Sequence, residues 1–203
     1  MRLASAYLTV AVASGCTLVL ELVAGRVLAP FVGVSIQTWT SVIAVVLAGI
    51  SLGNYAGGVL ADRTRSDRVL GVLLAAGGLA SLAVLPLTAG ASALAPRSLP
   101  FVLRIVLPTT LLFFVPCLVL GTIAPVAIKR ALTGLERSGK VVGRMYAAST
   151  AGSLGGAFLT GFVLIAHCGT RAIILCVSLT LIGLGAVAVL LSRDAAPRAV
   201  AEA

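Results

Sequence analysis

Charge is scarce in this chain. Only 10% of its 203 residues are charged, against 60% that are hydrophobic, and six residues in all are acidic. A single histidine, His167, and a single tryptophan, Trp39, are present. Each shortage excludes something. With one histidine and no ligand cluster, a zinc site has no donor set. The four cysteines, Cys16, Cys117, Cys168 and Cys176, form no CxxC pair and lie within or beside apolar runs, so they read as free thiols serving as small apolar side chains. No nucleophile–base pair stands out, so no catalytic residue is assigned and no metal or other cofactor is implied.

What the chain has in abundance is apolar length. Six stretches, at about 5–28, 38–61, 69–88, 101–128, 145–166 and 171–192, are each long enough to cross a hydrocarbon core of roughly 30 Å. Backbone groups in lipid must be paired within their own segment, so each stretch is expected to be a helix. The fold class expected is an all-α membrane protein with one six-helix domain over 1–192 and a short tail over 193–203, rich in Ala and Pro and expected to be disordered. The connections are short, so sequential neighbours are expected to pack antiparallel.

The formal net charge of +9 raises the question of nucleic acid, and the distribution answers it. With the N-terminus inside, the inner side holds Arg2, Arg63, Arg65, Arg68, Lys129, Arg130, Arg137, Lys140, Arg144, Arg193 and Arg198. The outer side holds Arg26, Arg97, Arg104 and Arg171, so the fifteen basic residues divide eleven to four. That is a positive-inside pattern with both termini cytoplasmic, and the basic excess reads as topology plus attraction to anionic headgroups. No basic run is interleaved with aromatics as a nucleic-acid stripe would be. The partner expected first is the lipid bilayer, in a bacterial-type inner membrane.

Two strings imitate other signals. Ala13-Ser14-Gly15-Cys16 looks like the end of a lipoprotein leader, but Leu18, Val19 and Leu20 continue the apolar run where a polar tether belongs. Gly134 to Lys140 fits GxxxxGK, but Val141 stands where a Walker loop needs Ser or Thr, and no strand precedes it.

The halves of the chain, roughly 1–95 and 96–203, hold three stretches each and echo each other. Gly49, Gly53 and Gly57 recur every fourth residue in the second stretch, as do Ala148, Gly152 and Gly156 in the fifth. Small residues at this spacing share one helix face and admit a second backbone. Two three-helix units with an odd span count must be inverted relative to each other, a transporter-like construction. The fourth stretch carries Pro108, Pro116 and Pro125, each removing a backbone donor. Pro116, Gly121 and Pro125 are candidates for a hinge, with Thr109, Thr110 and Thr122 as hydroxyls able to serve freed carbonyls.

The segment Gly57-Gly58-Val59-Leu60-Ala61-Asp62-Arg63 resembles the G-x-L-A-D-R loop of the major facilitator superfamily, which lies between the second and third helices on the cytoplasmic side. The resemblance picks out Gly58, Leu60, Asp62 and Arg63 as a gate loop and implies a charge network there; Arg65 departs from the family's second glycine. A wider resemblance runs through ELVAGRVLAPFVG (21–33), 49–63, PCLVLGTIAP (116–125) and GKVVGRMYAASTAGSLGGAFLTGFVLI (139–165). These segments look like the membrane half of fused major-facilitator-like/spermidine synthase-like proteins, whose soluble aminopropyltransferase domain has no counterpart here. The resemblance implies a 3+3 inverted repeat like half of a major facilitator.

An ionisable group inside a membrane span is a functional candidate by default. Glu21 is the one acid well inside a stretch. Arg26 follows five residues later, roughly 140° around a helix and off its face, so a partner for Glu21 is sought on another helix, such as Arg104. Glu21, Arg26 and Arg104 form the candidate intramembrane polar site, with proton coupling, cation binding or a structural ion pair as its possible roles. Tyr7 and Trp39 read as interfacial anchors, Tyr146 as an anchor or a packing residue at the cytoplasmic mouth, and His167 as an interfacial polar cap. Two functions follow as expectations. One is a non-catalytic membrane unit that anchors or partners a cytoplasmic aminopropyltransferase-like protein. The other is a half-size transporter of a small solute, polyamines included, working as a homodimer.

Overall fold

A computed structural model describes residues 3–64, 66, 68–88, 90, 99–132 and 138–193. Arg2, Arg65, Arg97, Arg137 and Arg198, Gly134 to Arg137 of the GxxxxGK string, and the tail beyond Arg193 lie outside the described residues. Among the described residues there are helices and short connections and no strand. Six helices are long and apolar enough to cross a membrane. They are α1 (Leu3–Val32), α2 (Ile36–Arg63), α3 (Arg68–Leu87), α4 (Phe101–Ala131), α5 (Ser138–His167) and α6 (Thr170–Arg193).

Their ends follow local chemistry. α1 stops where Gly33 takes φ 78°, a left-handed conformation that suits glycine. The Ser35 hydroxyl accepts from the Thr38 amide at 3.1 Å and caps the start of α2. Trp39 then packs its ring over Gly25, where a Cβ would meet it at 3.1 Å. α5 begins at Ser138 rather than near 145. Gly139, Lys140, Gly143 and Arg144 look like loop by composition, yet they form its first turns.

Two helices depart from regular α geometry. In α4, a π-helical turn at Thr110–Phe114 follows Pro108, and the helix pattern breaks again at Thr122, whose amide bonds back to the Val119 carbonyl at 3.1 Å. The Thr109 and Thr122 hydroxyls donate to the Ile105 and Val119 carbonyls, both at 2.6 Å. In α5 a second π-helical turn covers Leu159–Leu164. π turns concentrate at functional sites and at bends.

The densest packing is not between sequential neighbours. It joins α1 to α5, α2 to α4 and α3 to α6, which corrects the expectation of neighbour-on-neighbour packing. The small residues explain the choice. A Cβ on Gly152 or Gly156 of α5 would strike the backbone of Ala11 or Gly15 in α1, and one on Gly53 or Gly57 of α2 would strike Leu118 or Thr122 in α4. Gly49 sits against the Phe114 carbonyl and Cys117, and Gly121 against Ile50. Residue numbers rise together in both contacts, so α1 runs parallel to α5 and α2 to α4. The α3–α6 pair is antiparallel, with Gly71 and Gly185 each lying against the other's carbonyl. Lipid tails are as apolar as leucine, so transfer out of water does not drive these helices together; close packing and interhelical hydrogen bonds do. A core of buried side chains including Leu20, Leu74, Phe113 and Leu181 fills the remaining space.

Candidate functional site

Between α1, α2, α4 and α5 lies a cavity of about 450 Å³, within the size range of small-ligand sites. α1 contributes Ser14, Thr17 and Glu21, and α2 contributes Ile50 and Asn54. α4 supplies an apolar wall that includes Leu120, Ile123 and Ile128, and α5 supplies Tyr146, Ser149 and Ser153. Glu21 sits about one turn beyond the midpoint of α1. From there the cavity extends toward the end of the molecule that carries Arg63, Lys129 and Arg144.

Most of the hydroxyls are committed. The Ser14 and Ser149 hydroxyls bond to each other at 2.7 Å, and Thr17 donates to the Ala13 carbonyl at 2.9 Å. Ser153 donates to the Ser14 carbonyl at 3.4 Å, a long contact. The two serine bonds tie α1 to α5 beside Gly15, inside the string that imitates a lipoprotein leader. Three lining groups stand apart. The Glu21 carboxylate, the Asn54 amide and the Tyr146 hydroxyl have no hydrogen bond or ion pair with any described residue. A polar group within a span that lacks an internal partner is costly unless water or a ligand meets it.

The three residues grouped from sequence as an intramembrane polar site are not brought together. Arg26 donates from its guanidinium to the Ile165 carbonyl at 3.2 Å. That carbonyl belongs to the last turn of α5, whose acceptors have no partner within the helix, so Arg26 acts as a cap. Arg104 lies in the first turn of α4 with its Nε buried and without a hydrogen-bond partner. Glu21 therefore stands in the cavity with no basic partner among the described residues.

At the opposite end of the molecule, Arg130 donates to the Thr64 carbonyl at 3.0 Å, just past the end of α2, and Lys129 pairs with Asp62 at 2.9 Å. Both join α4 to α2. Of the residues marked as a gate loop, Asp62 is thus engaged, Leu60 gives its carbonyl to the Thr64 amide and hydroxyl, Arg63 is exposed, and Gly58 has open space about it. The hinge candidates Gly121 and Pro125 line the cavity, and Pro116 is buried in α4.

Among the remaining residues, His167 contacts the Val163 carbonyl through Nδ1 at 2.9 Å and is exposed. Tyr7 differs from an interfacial anchor, because its hydroxyl is buried with no hydrogen-bond partner. All four cysteines are free, Cys16 and Cys117 buried and Cys168 and Cys176 exposed. Asn54, Ser149 and Ser153 were not singled out by sequence. The available signal was that they stand beside the repeating small residues of the second and fifth stretches. Compared with models of protein families, with curated proteins and with solved structures, the chain matches none.

Proposed function

We propose that this multi-pass membrane protein is a non-catalytic, transporter-like unit that admits a small solute to the cavity ending at Glu21. The observation that carries this reading is that the uncommitted polar groups of Glu21, Asn54 and Tyr146 face one intramembrane cavity. The reading places both termini in the cytoplasm of a bacterial-type inner membrane, with the cavity directed inward.

The helix pairing supports a 3+3 inverted repeat. Exchanging α1 with α4, α2 with α5 and α3 with α6 turns the α1–α5 pair into the α4–α2 pair and leaves α3–α6 as itself. The glycine contacts follow the exchange. Gly53 and Gly57 meet Leu118 and Thr122, as Gly152 and Gly156 meet Ala11 and Gly15. Such repeats suit a site formed near the midplane between helices. Half of a major facilitator has this plan, and a homodimer joined across the exposed faces of α2 and α5 would double it.

A second reading, the anchoring of a cytoplasmic aminopropyltransferase-like protein, draws on the resemblance to fused membrane domains and on the exposed basic residues Arg63, Lys140 and Arg144 at one end.

Uptake into proteoliposomes tests the first reading. Transport of a small amine by the wild type, reduced in Glu21→Gln, is the expected result. Equal uptake in both removes Glu21 from the mechanism, and no uptake of any solute removes the transport reading. Recovery of a soluble partner in mild detergent tests the second.

A further inference from the structure

Resting on the reading of the cavity as a solute site, we infer that its ligand is an organic monocation with one ammonium group on an apolar body, and not a polyamine. The charges and the uncommitted polar groups of the lining set the class of ligand. Glu21 is the single acid lining the cavity. The acid of the motif loop, Asp62, is held by Lys129 at 2.9 Å. Arg26, on the same helix but off the face of Glu21, is spent on the Ile165 carbonyl. One carboxylate matches one ammonium, and the Asn54 side-chain carbonyl, across the cavity on α2, can accept a second hydrogen bond from the same head.

The rest of the lining fits an apolar body. Leu120, Ile123, Ala124 and Ile128 of α4 offer no polar side chain, the Ser14, Ser149, Ser153 and Thr17 hydroxyls are engaged within the protein, and the remaining uncommitted group, the Tyr146 hydroxyl, is not a carboxylate. A second ammonium farther along a polyamine would lie against this wall without a counter-charge, at a steep desolvation cost. An anion would meet the Glu21 carboxylate with no cation in the lining to offset it. A bare metal ion requires several oxygen ligands, and Glu21 and Asn54 are too few.

Ser149→Cys places a thiol in the cavity wall without touching Glu21 or Asn54. Its modification by a hydrophilic maleimide is followed in the full-length protein in nanodiscs, resolved by site through mass spectrometry. Hexylammonium, 1-hexanol, hexanoate and spermidine are added in turn. Hexylammonium is expected to protect the thiol, with the other three at least about tenfold less effective, and protection is expected to weaken about tenfold in the Glu21→Gln background, the scale of one charge-assisted hydrogen bond. Protection by hexanol or hexanoate equal to that by hexylammonium overturns the inference, as does tighter protection by spermidine or indifference to Glu21→Gln. A thiol that reacts but is protected by no probe also overturns it, while leaving the cavity open to solvent. A thiol that never reacts removes the cavity reading itself.

Discussion

Gly152 of α5 lies directly against the backbone carbonyl of Ala11 in α1, leaving no room for a side chain. Gly155, three residues on, has nothing within 4 Å of where its Cβ would stand. The two glycines share a helix and an environment of lipid and protein, and they differ in what faces them.

Gly152→Leu is therefore expected to destabilise the protein by at least the ~1–3 kcal/mol typical of overpacking, because the obstructing atoms are backbone and cannot rotate away. Gly155→Leu is expected to leave stability nearly unchanged, or to raise it slightly by removing a helical glycine. Thermal unfolding of both variants in the same detergent checks the contrast. Equal midpoints would mean that α1 and α5 do not approach through this face.

The Asp62–Lys129 pair is short but open to solvent, with side-chain exposures of 71% and 56%. Such pairs contribute ~0–1 kcal/mol. Asp62→Asn is expected to shift the unfolding midpoint little, and less at high salt. A large loss of stability would show that the motif loop holds the fold together more strongly than its geometry accounts for.

Orientation can be read with the native thiols. Cys168 is exposed just beyond α5, whereas Cys16 and Cys117 are buried. With both termini cytoplasmic, a membrane-impermeant maleimide is expected to label Cys168 from outside the cell. Lys140→Cys, at the other end of α5, is expected to react only in inverted vesicles. The opposite pattern would reverse the topology and turn the cavity outward.

Spans and fold class were legible in the sequence because length and hydropathy suffice for them. The six expected stretches correspond to the six long apolar helices. The Gly49–Gly57 and Gly152–Gly156 series also marked true close approaches, since a repeat of four always lines one helix face. Partner choice was not legible. Nothing in the spacing says that Gly152 meets Ala11 instead of a residue of the next helix, because that depends on which backbones can nest in three dimensions. The polar site was half legible. Glu21 stood out as a lone acid in an apolar run, but Arg26 is drawn to a helix end by unsatisfied carbonyls. Asn54, a neutral residue beside a glycine stripe, carried no signal until α2 was placed across from α1.

The central claim is that solvent and solute reach the space between Glu21 and Asn54 from one side of the membrane. The most direct measurement compares two cysteine variants on α2 for their rate of reaction with a charged, water-borne thiol reagent. Asn54→Cys faces the cavity, and Leu52→Cys is about half exposed on the same helix but outside the cavity lining. Asn54→Cys is expected to react at least about tenfold faster, since thiolate chemistry requires water at the sulfur. Equal, slow rates at both positions would contradict the account, because α2 would then present both residues to lipid alone.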